Sequence, residues 1–363
     1  MIIRENVPLS ELTTMRLGGP ARFVIEIETE DDCRDAFDFA ADKNLPVYFL
    51  GSGANSIGKD EGFPGIILIN RLKGIKTLEE SPDRLVVEAA GGENWDDFVD
   101  FVCQKGFSGV EAMSKIPGTV GAAPVQNIGA YGQELKDTLK SVSAFDSLMS
   151  EFVEIDASTM DFSYRHSIFN SGEKAGRFFI LSCVFEFTSH EMTPPFYASL
   201  QSFLDENKIL DRSPATIRSA VSKIRSEKLP DPDETPSAGS FFKNIYLDKL
   251  RAAKAREKGV PVRETEKLDA DGKPYLELKV NTGWLLEHSG LKGKTFHGFE
   301  ISDKAALVLI NRSAKTEHEL ELAKSEISAA VKSKFGLTLN QEPVYIEEPR
   351  LSDFNQEESS EEE

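Results

Sequence analysis

The chain has 363 residues, of which 40% are hydrophobic and 28% are charged, and its formal net charge at pH 7 is −19. This length exceeds the usual size of one hydrophobic core, so we expect two or three subdomains. The acidic balance argues against a nucleic-acid-binding protein, whose surface should be basic. No apolar run approaches the roughly 20 residues that a membrane helix needs, so membrane insertion is not expected either.

The cysteine and histidine patterns predict neither a disulfide nor a metal site. Cys33, Cys103 and Cys183 lie far apart without a CxxC spacing, which indicates buried free thiols in a reducing compartment, the cytoplasm. The start "MIIRENVPLS" lacks the basic and apolar regions of a signal peptide. None of the five histidines has metal-ligand spacing. Residues 351–363 are rich in glutamate and are predicted to form a disordered acidic tail.

Two α/β units open the chain. An apolar stripe predicts a helix over 29–44, followed by the strand "PVYFLG", the loop "GSGANS" and the strand "GIILIN". The second unit begins with the strand "RLVVEAA" and continues into a helix for which Asn94 is a suitable N-cap.

A glycine-rich stretch over residues 106–132 comes next. It is too rich in glycine for a packed helix and too aliphatic for a mobile linker, so we expect an ordered loop lying against another part of the molecule. Strands follow up to residue 188, and composition changes after "KLPDPDETPSAGS". A helix over 316–335 ending at Gly336 and a strand over 337–346 complete the pattern.

The loop "GSGANS" does not fit a dinucleotide-binding Rossmann turn. The third glycine of that motif is absent, because Ser56 stands there, and no helix follows. Successive backbone N–H groups in tight turns can still hold a pyrophosphate without a helix. The alternative is a purely structural turn.

Several segments in order resemble the UDP-N-acetylenolpyruvoylglucosamine reductase family, also called the UDP-N-acetylmuramate dehydrogenase family. The likeness runs from about residue 12 to residue 346, and its most specific motifs are "GTVGAAPVQNIGAYG" and "AGSFFKN". It implies an α+β, two-subdomain FAD-binding fold of the vanillyl-alcohol-oxidase type with a smaller α+β substrate domain. It also implies an oxidoreductase of peptidoglycan synthesis that uses FAD and NADPH to reduce the enolpyruvyl ether of a UDP-sugar.

The same likeness implies catalytic roles for Arg165, Ser240 and Glu342. Hydride addition next to a carboxylate needs a cation, a proton donor and a partner acid, which these residues would supply in that order. Taken alone, each has a simpler interpretation. Arg165 would be a surface ion-pair residue, Ser240 a turn serine, and Glu342 an exposed strand glutamate before proline.

Binding residues also follow from the likeness. UDP-sugar binding is implied for Tyr164, Tyr197, Arg225, Lys228 and Asn244, with Tyr197 in surroundings that differ from the usual motif. FAD binding is implied for Gly51, Ser52, Gly53, Ala54, Asn55, Ser56, Pro117, Gly118, Gly121, Ala122, Ala123, Asn127, Gly129, Ala130 and Tyr131.

The chain departs from the family pattern at three places and leaves two rival interpretations open. Ser302 and Ala305 occupy positions that are often His and Gln, and Ala54 stands where serine is usual. The rivals are another flavin oxidase or dehydrogenase of the same fold, and a UDP-sugar-binding protein without catalysis.

The expected organisation has FAD-binding subdomains over 1–72 and 73–228, a substrate domain over 229–336, and a segment over 337–350 that returns to the FAD-binding part. The expected partners are the UDP-sugar and NADPH. Since no sustained coiled-coil heptads appear, we expect a monomer.

Overall fold

The computed structural model describes residues 1–232, 234–268 and 273–348. The acidic tail predicted over residues 351–363 lies outside this range. Within the described residues, mixed sheets and helices form an α+β arrangement in which helices flank the sheets.

The first sheet has four strands in the order β1-β2-β5-β3, with β1 antiparallel and the others parallel. Helix α1 covers it, as predicted: Thr29 caps its start by accepting a hydrogen bond from the Asp32 N–H, and Asn44 ends it at a φ of 50°. The elements of this part are β1 (Ile2–Pro8), β2 (Pro20–Ile27), α1 (Glu30–Lys43), β3 (Val47–Leu50), β4 (Ser56–Gly58) and β5 (Phe63–Asn70).

The second sheet is antiparallel and has five strands in the order β11-β10-β12-β7-β6. Helix α2 packs beneath it, and the predicted N-cap Asn94 accepts a hydrogen bond from the Asp97 N–H. The two sheets meet through aromatic rings, since Phe37 of α1 stacks 4.5 Å from Phe145. The elements are β6 (Ile75–Glu80), β7 (Arg84–Ala90), α2 (Trp95–Gln104), β8 (Gly129–Ala130), β9 (Gln133–Glu134), β10 (Leu139–Asp146), β11 (Glu151–Asp156) and β12 (Phe178–Thr188).

A pair of helices, α3 (Ala198–Glu206) and α4 (Pro214–Lys228), leads out of the second sheet. The Arg218 guanidinium on α4 lies 2.7 Å from carboxylate oxygens of both Asp96 and Asp100. These ion pairs fix α4 against α2.

The third part contains the sheet β13-β19-β18-β17 and the smaller sheet β14-β16-β15. Its largest helix, α7, begins at the cap Thr316 and ends at Gly336 with a φ of 73°, as predicted. The elements are β13 (Ser237–Ser240), β14 (Ile245–Tyr246), α5 (Lys249–Glu257), β15 (Val262–Leu268), β16 (Pro274–Val280), α6 (Thr282–His288), β17 (Thr295–Phe296), β18 (Phe299–Ile301), β19 (Val308–Asn311) and α7 (Glu317–Phe335).

The strand predicted over 337–346 is wrong for most of its length, because only β20 (Val344–Ile346) is regular. Pro343 has no N–H with which to continue a ladder. Before it, the Lys243 N–H donates to the Asn340 carbonyl, and the Glu342 N–H donates to the Phe241 carbonyl at 2.9 Å. After it, β20 pairs in parallel with β4. Residues 340–346 therefore connect the third part to the first glycine loop.

Candidate active site

The first glycine loop, residues 51–56, joins β3 to β4. Gly53 has a φ of 70°, and a Cβ there would lie 2.0 Å from the Leu12 carbonyl oxygen, so only glycine fits. Among the described residues, none accepts a hydrogen bond from the backbone N–H groups of residues 52–55. Ser56 is buried and belongs to β4. The loop therefore offers a row of free backbone donors.

The second glycine segment, residues 117–131, lies directly against the first loop. The Asn55 amide donates to Gln126 Oε1 at 3.0 Å, and a Cβ on Gly51 would lie 2.9 Å from the Cβ of Ala122. Gly118 has a φ of 149° with open space beside it, whereas Ala123 is buried in the core of the second sheet. The two segments form one continuous surface.

Asn127 holds this segment in place rather than facing outward. Its amide nitrogen donates to Glu134 Oε2 at 3.2 Å and to the Ser163 carbonyl at 3.1 Å, and its side-chain oxygen accepts from the Lys136 N–H. The side chain is 1% exposed, so its contribution to a cofactor site is to position the loop.

Arg165 and Glu342 are in direct contact. The Nε atom of Arg165 lies 2.8 Å from Glu342 Oε1, and its Nη2 donates to the Gly129 carbonyl at 3.2 Å. The side chains are only 19% and 10% exposed. Burial lowers the pKa of the Arg165 guanidinium, but Glu342 and Tyr164 outweigh burial and the pKa lies above its ordinary value. Arg165 is therefore a permanent, well-anchored cation beside the second glycine segment.

The backbone at Arg165 is unusual for a residue with a side chain. Its φ is 56°, in the left-handed region. The Asn170 amide donates to the Arg165 carbonyl at 3.1 Å, and its oxygen accepts from the Ser167 N–H at 3.0 Å. Through these two hydrogen bonds, Asn170 stabilises the turn that orients the Arg165 guanidinium.

Ser240 is the last residue of β13, where the pairing with β19 is irregular. Gly239 before it has a φ of 67°, and the ladder shifts between Ser237 and Ser240. Such a bulge redirects the following side chain. Phe241 lies in the core, and its carbonyl accepts the Glu342 N–H. Within the part of the chain that the structure describes, the Ser240 hydroxyl has no hydrogen-bond partner.

Tyr164 and Asn244 lie together next to Arg165. The Tyr164 hydroxyl accepts from both nitrogens of Asn244 at 3.4 Å. Burial raises the pKa of the Tyr164 hydroxyl, although Arg165 opposes it, so the phenol stays protonated. The fold therefore brings the predicted binding residues Tyr164 and Asn244 next to Arg165 and Glu342. Their roles stay a prediction.

Lys279 is a site residue that the sequence reasoning missed. Its Nζ lies 5.3 Å from the centroid of the Tyr164 ring and 5.6 Å from that of Tyr246. Burial lowers the pKa of Lys279 despite the opposing effect of Glu277. In β16 it alternates with the buried Leu278 and Val280, a pattern that normally predicts a solvent-facing lysine. No sequence signal distinguishes a solvent-facing lysine from one that packs against tyrosine rings, as Lys279 does.

Arg225, Tyr131 and Tyr197 form a second group of predicted binding residues, at the second glycine segment. The Tyr131 and Tyr197 rings pack edge to face 5.5 Å apart. Arg225 Nη2 donates to the Lys115 carbonyl at 3.2 Å, while its buried Nε has no partner among the described residues. Burial lowers the pKa of Arg225. The structure thus places Arg225 near the second glycine segment, not against Tyr164 and Asn244.

Lys228 lies one turn further along α4 and is exposed, without a hydrogen bond to any other described residue.

Ser302 and Ala305 form a tight turn before β19, in which the Ser302 hydroxyl accepts from the Lys304 and Ala305 N–H groups. Because β19 pairs with β13, that turn supports the strand carrying Ser240.

Chemically, this arrangement offers a fixed cation, a carboxylate and a free hydroxyl beside a surface rich in backbone donors. The described residues contain no group of three or more His, Cys, Asp or Glu placed to hold a metal ion. In the same residues, no helix has the length and apolar character needed to cross a bilayer.

Two family models match the chain. The model described as an FAD binding domain matches residues 21–153. The model described as the C-terminal domain of UDP-N-acetylenolpyruvoylglucosamine reductase matches residues 231–346.

Curated relatives named UDP-N-acetylenolpyruvoylglucosamine reductase match over nearly their whole length. The protein of Dechloromonas aromatica is 35% identical, with 94% of this chain and 98% of the relative covered. That of Salinispora arenicola is 37% identical, with 93% and 94% covered. The crystal structure of the Thermus caldophilus reductase aligns with a TM-score of 0.60 at 21% identity, covering 95% of this chain and 100% of that one. The predicted α+β FAD-binding fold with a further C-terminal domain is confirmed.

Proposed function

The chain belongs to the UDP-N-acetylenolpyruvoylglucosamine reductase family, and on this premise we propose that Arg165, Ser240 and Glu342 together carry its reaction. It is an oxidoreductase of peptidoglycan synthesis that uses FAD and NADPH to reduce the enolpyruvyl ether of UDP-N-acetylglucosamine to UDP-N-acetylmuramate. The observation that carries the proposal is the Arg165–Glu342 contact, joined to Ser240 through the Phe241 backbone.

The residues of the two glycine segments fit FAD. The free N–H groups of residues 52–55 suit a pyrophosphate, and the open space beside Gly118 leaves room for a flat ring system. When bound, FAD is the carrier that accepts a hydride from NADPH and passes it to the sugar substrate. The residues proposed to hold it are the loop 51–56 and the segment 117–131, with Asn127 acting through the loop.

Arg165 has the position and charge to stabilise the electron pair that forms on the substrate. Addition of a hydride to the terminal carbon of the enol ether leaves this pair on the neighbouring carbon, delocalised onto the carboxylate. A guanidinium held on two sides, by Glu342 and by the Gly129 carbonyl, need not reorganise when the charge appears. We assign Arg165 to the substrate carboxylate.

Ser240 is the proposed proton donor. Its O–H bond breaks as the proton passes to the carbon that carries the electron pair, and solvent later restores the hydroxyl proton. A serine is a weak acid and needs neighbouring charge to act. Its hydroxyl is free of protein partners among the described residues, and Glu342 is anchored to the next residue in the chain. Glu342 is the partner acid that aligns Arg165.

The diphosphate of the sugar nucleotide needs cations, and the structure supplies them around the site. Lys279 lies against Tyr164 and Tyr246, and the buried Nε atom of Arg225 is an unused donor among the described residues. We propose that these two, with Lys228, face the phosphates. Tyr164, Asn244 and Tyr197 line the same route.

We also propose that the enzyme acts as a monomer in the cytoplasm. The three catalytic segments come from one chain, and Cys33, Cys103 and Cys183 are buried and unpaired, as a reducing compartment requires. The domain limits 1–72, 73–228 and 229–336, with 337–350 returning to the FAD-binding part, stay part of the proposal. The first sheet ends at residue 70, and the second begins at residue 75.

A spectroscopic titration of the purified protein tests the assignment. We expect bound FAD, loss of flavin absorbance when NADPH is added without oxygen, and its return when the enolpyruvyl UDP-sugar follows. A protein that binds no FAD after reconstitution, or whose flavin is not reoxidised by the sugar, would refute the assignment. Reduction of the flavin by a simple alcohol in place of NADPH would favour the rival flavin oxidase or dehydrogenase.

A further inference from the structure

A cavity of about 360 Å³ lies beside the candidate active site, and its two cations, Lys243 and Arg251, have no role in the reaction described above. It shares Tyr164 and Asn244 with the site but contains neither Arg165, Ser240 nor Glu342. Its lining residues are Tyr164, Lys243, Asn244, Ile245, Tyr246, Arg251, Thr338 and Asn340.

The charge of this lining is opposite to that of the protein. The chain carries a formal charge of −19, yet the described lining contains two cations and no carboxylate. Residues 243–263 hold seven Lys and Arg against two Asp and Glu. One of those acids, Asp248, is engaged as the N-cap of α5, where it accepts from the Arg251 N–H at 2.7 Å. The region is therefore a local positive patch on an acidic molecule.

The two cations are available to a ligand. Within the described residues, neither the Lys243 ammonium nor the Arg251 guanidinium forms an ion pair or donates a hydrogen bond. The Lys243 backbone is fixed on both sides, because its N–H donates to the Asn340 carbonyl and its carbonyl accepts from the Thr282 hydroxyl at 2.6 Å. Thr338 and Asn340 add neutral polar groups at the opening. A lysine, an arginine and neutral donors suit a phosphate monoester.

We propose that this cavity binds the 2′-phosphate of NADPH and so selects NADPH over NADH. The inference rests on the proposed function, which brings NADPH to the site next to the cavity. In NADPH the nicotinamide and the 2′-phosphate lie toward opposite ends of the molecule, so the 2′-phosphate needs a cationic site that is separate from the reacting groups but within the length of the dinucleotide. Lys243 meets this condition, since it follows Ser240 by three residues of mostly extended chain, roughly 10 Å. An arginine that receives the 2′-phosphate is a known basis for NADP selectivity.

Calorimetry with the FAD-loaded enzyme tests the proposal without turnover. The probes are adenosine 2′,5′-bisphosphate and ADP, of which only the first carries a 2′-phosphate. We expect Lys243→Met/Arg251→Met to weaken bisphosphate binding by roughly 10- to 100-fold, the loss expected for charge-assisted hydrogen bonds to an anion, and to leave ADP binding unaltered. Lys249→Met is the control, because it removes one positive charge from the start of α5 but lies outside the cavity lining.

A second measurement separates the possible sources of phosphate. The rate of anaerobic flavin reduction, measured against NADPH and NADH concentration, should show the double variant losing its preference for NADPH while its response to NADH stays the same. Equal losses with both nucleotides, or an unaltered preference, would overturn the proposal. A parallel rise in KM for the UDP-sugar would assign the cavity to the sugar diphosphate and also overturn it. If wild-type flavin is not reduced by NADPH at all, the proposed function fails, whereas calorimetry still reports on the cavity. Arg251→Met alone, at an exposed position, guards against a folding defect.

Discussion

The Nε atom of Arg165 lies 2.8 Å from the Oε1 atom of Glu342, although 177 residues separate them in sequence. The contact joins the turn between β11 and β12 to the segment that returns from the third part of the molecule. Both side chains are largely buried, so each depends on the other for its charge to be tolerated there.

Arg165→Lys should slow the reduction of the UDP-sugar strongly while leaving the protein folded. A lysine keeps the charge but cannot donate to Glu342 and to the Gly129 carbonyl from a planar fork. We expect reoxidation of the flavin by the sugar to fall by roughly 10²-fold, the usual loss when one donor to a developing anion is removed. Stopped-flow absorbance measures this step.

Glu342→Gln is the companion to that variant. It removes the charge but keeps the shape, so it should slow reoxidation while leaving reduction by NADPH close to normal. Normal reoxidation in both variants would exclude the ion pair from catalysis.

Ser240→Ala should separate the two half-reactions most sharply. The change removes one oxygen that has no protein partner in the described residues, so folding and FAD binding should be normal. Reduction by NADPH needs no proton from Ser240, whereas reoxidation by the enolpyruvyl substrate should slow by roughly 10²-fold or more. Ser240→Cys should retain more activity than alanine, because a thiol can donate. Equal slowing of both steps would instead indicate a displaced flavin.

Lys228→Ala should raise KM for the UDP-sugar by roughly 10-fold with little effect on kcat, because it removes a partner of the diphosphate. Lys223→Ala is a matched control on the same exposed helix, where Lys223 pairs with Glu227 at 3.3 Å. Steady-state kinetics on both variants make the comparison. If the two behave alike, Lys228 is a surface residue and belongs to no binding site.

The buried cysteines predict a loss of stability at alkaline pH. Burial raises the pKa of Cys33 and of Cys103 to about 12, while unfolded thiols ionise near 8.5. The folded state therefore keeps protons that the unfolded state loses, and stability falls as pH rises between these values, by about 1.4 kcal/mol per pH unit for each thiol. Urea unfolding at several pH values measures the slope.

A Cys33→Ala/Cys103→Ala variant should show a smaller slope than the wild type, whatever its stability at pH 7. In the native state at pH 8, the thiols should react slowly with a disulfide reagent. An unaltered slope in the variant would assign the alkaline effect to other groups.

Local structure was predictable where a few neighbouring residues determine it. Thr29, Asn94 and Gly336 mark helix ends through contacts within one turn, and all three helices follow the prediction. The strand β4 and its pairing with residues 344–346 were not predictable, because that contact joins segments almost 300 residues apart and carries no local pattern.

The likeness of the motifs to a known family predicted which residues belong to the candidate site. It did not predict how their side chains contact one another. The motif predicts that Asn127 binds the cofactor, yet its side chain forms hydrogen bonds with Glu134, Ser163 and Lys136. The strand alternation predicts that Lys279 faces solvent, yet it lies against two tyrosine rings. In both cases the role of the side chain depends on which residues pack against it in the folded chain, and the local sequence does not contain that information.

The return of residues 340–346 to the first glycine loop also bears on how the enzyme is made. Ribosomes synthesise chains from the N-terminus, and early segments can fold before late ones emerge. Glu342 follows both glycine segments, Arg165 and Ser240 in the sequence, so a nascent chain that already holds those groups still lacks the proposed partner acid. Arg165 cannot form its ion pair before Glu342 has been synthesised. A chain truncated before Glu342 would keep both glycine segments but would lack the Arg165–Glu342 ion pair and the pairing of β20 with β4.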